Sequence, residues 1–300
     1  MELSWPMKLR IAAAAGLGVV LIGVLCAPLG DWDQRDTGIL LTRVGLGGGA
    51  VLGLAAFFAG AAAYFICWPY GRQIAVLAVP SGLSLWAVRS GTVADVLQTS
   101  PLLSQRLWFF GMLKYESLLW LAIVGLGFAG VLAAEMLCSK TVKTPKPVHR
   151  AEIKFNTVLR AAAAAVVSIG VVWFSLGVLC QDVRLWDNYL GSVVGQPAVA
   201  QIVYAVVISF GLAGFVIKKL LDAAYGWVLI AAVFVTYFGS STYIRNDILG
   251  YTMEHIPPVF FPQAAASILP IQLVVFGTLG AIIGYWTAVR YTYWRQHESE

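Results

Sequence analysis

Two arginines, Arg89 and Arg245, and two Trp-Asp pairs, Trp32-Asp33 and Trp186-Asp187, are the residues whose type and placement could do chemistry in this chain. A guanidinium presents a planar fork of N–H donors that matches a phosphate or a carboxylate. Each arginine closes a polar or helix-breaking stretch in apolar surroundings, 79-VPSGLSLWAVR-89 and 238-FGSSTYIR-245. Unwound backbone inside a bilayer is tolerated only where protein buries it or it borders a wet cavity, so both stretches read as breaks beside an anion or lipid-headgroup site. The competing reading is snorkelling to the interface, or pairing with Asp95 or Asp247. Asp33 and Asp187, with Asp31, Asp36 and Asp182, would line a vestibule for a cation or a basic partner surface. The plainer account makes Trp32 and Trp186 headgroup-level anchors and the aspartates caps of short loops.

The Trp-Asp pairs belong to a phrase written twice, 23-GVLCAPLGDWDQ-34 and 177-GVLCQDVRLWDN-188, 154 residues apart, with six positions matching without a gap. Cys and Trp are scarce, which argues against coincidence. The match extends backwards, 9-LRIAAAA-15 against 159-LRAAAAA-165, and Ser84 to Arg89 has the spacing of Ser240 to Arg245. A duplication places 1–138 and 156–300 as two repeats, joined by the polar, Pro-containing, basic linker 139–155.

What must position these residues is a set of membrane helices. Apolar residues make up 59% of 300 and charged residues only 12%, against about 25% charged in soluble domains. Eight runs approach the roughly 20 apolar residues that a crossing helix needs, near 9–29, 38–67, 73–88, 116–138, 156–180, 197–217, 220–243 and 267–289. Their length excludes a barrel, whose segments alternate over about ten residues. The expected fold is all-α and polytopic. Four spans per repeat is an even number, so the repeats enter in the same direction and are related by an axis along the membrane normal.

Alternate loops collect thirteen Lys and Arg on one face and seven on the other, Arg106 and Lys114 among the seven, which puts both termini in the cytoplasm. The apolar run after 8-KLR-10 ends at 26-CAPLG-30, a poor cleavage site, so the first span reads as retained. Short loops and no N-x-S/T sequon fit a bacterial plasma (inner) membrane. The basic residues flank spans, so they report orientation and not nucleic acid.

Other motifs carry less. Cys26 and Cys180 fall at matching span ends and read as inherited buried thiols in preference to a bridge. Gly45, Gly49 and Gly53 recur every four residues and read as a face for helix packing. His149, His255 and His297 all lie outside spans, which excludes axial haem ligation by histidine there, and Glu254-His255 are adjacent and turned apart. No cofactor, metal or catalytic motif is present, and no charge is expected near mid-span; Arg43, Lys114, Glu116, Glu135 and Asp222 fall towards ends. The expectation is a non-enzymatic permease-like or lipid-handling protein, with a site for an anionic solute or headgroup between the repeats. The alternative is a structural subunit that docks other membrane proteins.

Overall fold

The computed structural model describes residues 5–30, 40–100, 102–141, 155–255 and 259–298. Its helices in chain order are α1 (Trp5–Gly18), α2 (Leu40–Ile66), α3 (Gly71–Ile74), α4 (Ala78–Arg89), α5 (Val93–Thr99), α6 (Leu103–Thr141), α7 (Phe155–Leu179), α8 (Val199–Leu221), α9 (Gly226–Tyr243), α10 (Asn246–His255) and α11 (Pro270–Glu298). Strands β1 (Arg184–Asp187), β2 (Gly191–Gly195) and β3 (Val259–Phe260) form a small antiparallel sheet in that order. Among the described residues eight helical stretches are long and apolar enough to cross a membrane. The protein is a multi-pass, all-α membrane protein.

The chain forms two compact units, and the long α6 serves both: its residues to Leu118 belong to the second unit and those from Leu119 to the first. The first unit otherwise holds α1 to α4. There α1 continues into a π-helical turn at Val19–Val24, and the buried Trp86 indole N–H donates to the Ile22 carbonyl at 3.0 Å. That bond gives a carbonyl of the widened turn a partner where no water is at hand. Helices α1 and α4 meet backbone to backbone: a Cβ on Gly18 would stand 1.7 Å from the Ala78 carbonyl oxygen, and one on Gly82 2.3 Å from that of Gly18.

The helix break expected at 79-VPSG-82 lies just ahead of it. Residues Ala75–Leu77 form a 3-10 turn and α4 runs unbroken from Ala78 to Arg89. Pro80 lacks the N–H that would bond the Val76 carbonyl, and its ring would crowd that carbonyl, so the tightened turn absorbs the misfit. The stretch 238–243 is likewise helical, the end of α9, so neither arginine follows unwound backbone.

The expected Gly45/Gly49/Gly53 face packs at Gly53 alone, where a Cβ would stand 2.9 Å from Leu126 Cδ1 of α6. Gly45 is a kink inside α2, with φ 64° and ψ 175°, and Gly49 meets nothing within 4 Å. Close packing of α2 on α6 falls one to two turns further on, where Gly60 meets the Gly127 backbone and Gly130 meets the Phe57 carbonyl.

In the second unit α11 is the central helix, with Pro270–Val275 and Ala281–Ile282 buried. It packs on α8 at Val207/Gly280 and Gly211/Gly284, an in-step pairing that makes the two helices parallel. Several polar groups in the spans are satisfied locally, whereas the buried Ser117 and Ser209 hydroxyls find no hydrogen-bond partner among the described residues. Ser168, Thr236 and Thr278 hydroxyls donate to the carbonyls of Ala164, Ala232 and Val274, and the Gln201 amide donates to the carbonyls of Leu179 and Gln181 at the end of α7. One expectation about charge fails here. Helix α6 begins at Leu103 and not near 116, so Arg106, Lys114 and Glu116 are helical, and Glu116, about 20 Å along the axis, is 1% exposed.

Candidate functional site

Short elements cluster at one end of the second unit: the β-hairpin, β3, α5 and α10. Strand β3 pairs with β2 through Val194/Phe260 and Gly195/Val259. Helix α5 is tied to the hairpin and to the start of α11 by two glutamines. Gln196 Oε1 accepts from the Ala94 N–H at 3.3 Å and its Nε2 donates to the Ser267 carbonyl. Gln272 Nε2 donates to the Gly91 carbonyl at 3.1 Å while its Oε1 accepts from the Leu269 N–H. Thr92 and Asp95 form a capping box at the first turn of α5.

The stretch 182–188, expected as a loop, carries strand β1 and places two of the site residues. Arg184 to Asp187 pair with Val194 to Gly191, and the three-residue turn closes at Gly191, whose φ of 73° suits glycine. Asp187 Oδ1 accepts from the Tyr189 and Leu190 N–H groups, both at 2.8 Å, and Oδ2 accepts from the Tyr251 hydroxyl at 3.2 Å. Tyr251 stacks on Tyr189 on one side and on His255 on the other, at centroid distances of 4.6 and 4.3 Å. The aspartate therefore latches the hairpin turn to α10, and His255 faces Tyr251, not Glu254. Trp186 is 81% exposed on β1.

The Leu190 N–H, chiefly, holds the Asp187 carboxyl below its usual range, helped by the Tyr189 N–H, the Tyr251 hydroxyl and His255 against the cost of desolvation. Hydrogen bonds to the charged form lower a carboxyl pKa. With the folded-state pKa depressed, the latch contributes above the unfolded carboxyl pKa near 4 and is lost as pH falls through the folded value. Hydrogen exchange, corrected for intrinsic rates, is expected to show residues 189–190 losing protection on acidification below about pH 4. In Asp187→Ala that protection is expected to be low at every pH; a variant that keeps the wild-type profile would contradict the latch.

Arg245 sits exposed between α9 and α10, and its carbonyl accepts from the Ile248 and Leu249 N–H groups. It makes no ion pair with Asp247 among the described residues. Arg89 ends α4 in the first unit and is likewise exposed. Trp32 and Asp33, with Asp31 and Asp36, lie outside the described residues. Cys26 and Cys180 are both buried free thiols, as are Cys67 and the half-buried Cys138.

A residue counted above merely as a loop cation is, among the described residues, the most deeply placed arginine. Arg106 is 5% exposed in the first turn of α6; its Nε donates to the Ser100 carbonyl at 2.9 Å and its Nη2 to the Leu97 carbonyl at 2.8 Å. These are the carbonyls at the C-terminal end of α5, where a cation is favourable. Nη1 is buried with no hydrogen-bond partner among the described residues. The signal available in the sequence was a lone arginine between the apolar pairs 102-LL-103 and 107-LW-108.

The arrangement holds the hairpin turn against α10, and α5 against the start of α11. No group of three His, Cys, Asp or Glu that could hold a metal lies among the described residues. No protein-family model, curated protein or solved structure matches the chain.

Proposed function

We propose that this is a non-enzymatic, permease-like or lipid-handling protein of a bacterial plasma (inner) membrane, with both termini cytoplasmic, which engages an anionic headgroup or solute through Arg89 and Arg245. The observation that carries the reading is their equivalent placement. Each is an exposed arginine at the C-terminal end of an apolar helix, α4 or α9, and each is followed by a short helix, α5 or α10, and later by a long one, α6 or α11. That shared order supports two co-oriented repeats, a common transporter construction. Asp187 and Trp186, and by the repeated phrase Asp33 and Trp32, are the further candidates for ligand contact, with membrane lipid as the partner.

The test is transbilayer movement of a fluorescent phosphatidylglycerol analogue in proteoliposomes, alongside uptake of radiolabelled glycerol phosphate. Arg89→Ala combined with Arg245→Ala is expected to abolish whichever activity the wild type shows, at unchanged expression and melting temperature. Wild-type rates in the double variant would remove both arginines from the site. A second reading, a non-catalytic subunit of a larger membrane complex, is favoured by the hairpin's apolar exposure, 58% at Leu185 and 81% at Trp186. Stoichiometric co-purification of another membrane protein in mild detergent, lost on Trp186→Ala, would promote it.

A further inference from the structure

The end of the second unit where α8 and α11 finish gathers cations and aromatic rings that the reading above does not use. Lys219 Nζ lies 4.6 Å from the Tyr291 ring centroid and 5.7 Å from that of Phe215. Lys218 Nζ lies 5.2 Å over Tyr285, beside the Tyr225 ring, and pairs with Asp222. The Arg290 guanidinium lies 5.1 Å over Trp294. Across 215–227 and 285–298 the charged residues are Lys218, Lys219, Arg290 and Arg295 against the two carboxylates of Asp222 and Glu298.

Depth in the membrane follows from length. Helix α8 has 23 residues, about 34 Å at 1.5 Å each, against a hydrocarbon core of about 30 Å. Lys218 and Lys219 at its end therefore stand at headgroup level, and Tyr225, Trp227, Tyr291 and Trp294 form an interfacial aromatic belt around them. A ring face leaves an ammonium charged and turned outward, able to take a phosphate oxygen as well. Below the cations the surface is apolar and open. Leu212, two turns before Lys219 on the same face of α8, is 48% exposed, and Ile283, two turns before Arg290 on α11, is 49% exposed.

We propose that this end of α8 and α11 is a binding site for an anionic phospholipid, its phosphodiester held by Lys219 and Arg290 with Arg295 adding charge, and its acyl chains lying along Leu212 and Ile283. Net-negative headgroups are selected over zwitterionic ones because the cations exceed the carboxylates, and the aromatic rings hold the cations at the correct depth.

The experiment is native mass spectrometry of delipidated protein with equal phosphatidylglycerol and phosphatidylcholine, run in the Arg89→Ala/Arg245→Ala background so that those arginines cannot supply the signal. Phosphatidylglycerol is expected to be retained in preference, and Lys219→Gln/Arg290→Gln/Arg295→Gln to lower that preference by about tenfold or more. The charge-keeping variant Lys219→Arg/Arg290→Lys is expected to retain most of it, which separates loss of charge from loss of fold. Should the triple variant not fold, Lys219→Gln alone is expected to give a partial loss. Equal retention of the two lipids, or an unchanged preference in the neutralised variants, would overturn the site.

Discussion

Gly284→Ala is expected to destabilise the second unit by about 3 kcal/mol or more, at the top of the range for overpacked cores. The added Cβ would stand 1.9 Å from the Gly211 carbonyl oxygen and 2.7 Å from its carbon. Both are backbone atoms, so no rotamer change relieves the clash and α8 and α11 must move apart along the α11 core. Helices in lipid associate through such close van der Waals contact, because apolar side chains gain little by leaving one another for lipid tails. Gly170→Ala in α7 is the control: nothing lies within 4 Å of its Cβ, and helix propensity alone predicts a gain of up to about 1 kcal/mol. Denaturant titration of both variants in the same micelle decides the matter, and equal stabilities would show that the α8–α11 contact is not backbone-limited.

Arg106→Leu is expected to cost on the order of 3 kcal/mol, since it strips the buried carbonyls of Leu97 and Ser100 of a charged donor, at about 1.5–3 kcal/mol for each such bond. The loss should be local before it is global. Hydrogen exchange across 93–100 should rise more than across α9, because the C-terminal end of α5 would keep its buried side chains but lose its hydrogen-bonded tie, while Gln196 and Gln272 hold only the opposite end. Arg106→Lys is expected to recover part of the protection, as an ammonium can serve one carbonyl but lacks the fork that serves both. Uniform loss of protection throughout the unit would instead make Arg106 a general packing residue.

The parts of this fold legible in the sequence are those governed by the solvent a residue meets. Eight spans could be read from apolar runs because hydrocarbon imposes one composition over one length, and most ends fell within a few residues of the helices found. Helix α6 was the failure. Arg106, Lys114 and Glu116 made 103–116 read as loop, whereas the helix buries one face of that stretch, at Arg106, Phe109, Phe110, Leu113 and Glu116, and leaves Trp108 and Tyr115 exposed. The hairpin at 184–195 was missed for a related reason: four- and five-residue strands carry too little alternation to stand out.

Of the candidate site, residue types were legible and partners were not. Arg89, Arg245, Trp186 and Asp187 could be singled out by kind and spacing, but that Asp187 latches a turn to Tyr251, 64 positions away, depends on which loops meet. The glycines show the same division. Repeats of small residues recur in both Gly45–Gly53 and Gly277–Gly284, and only the tertiary arrangement decided that Gly280 and Gly284 meet a backbone while Gly45 kinks. Transfer from water to lipid is a property each residue carries with it, so the primary structure alone determined which segments cross the membrane. Packing and hydrogen bonding belong to pairs, so which glycines are closed over, which arginine is buried and which aspartate is held were settled only once the helices had assembled.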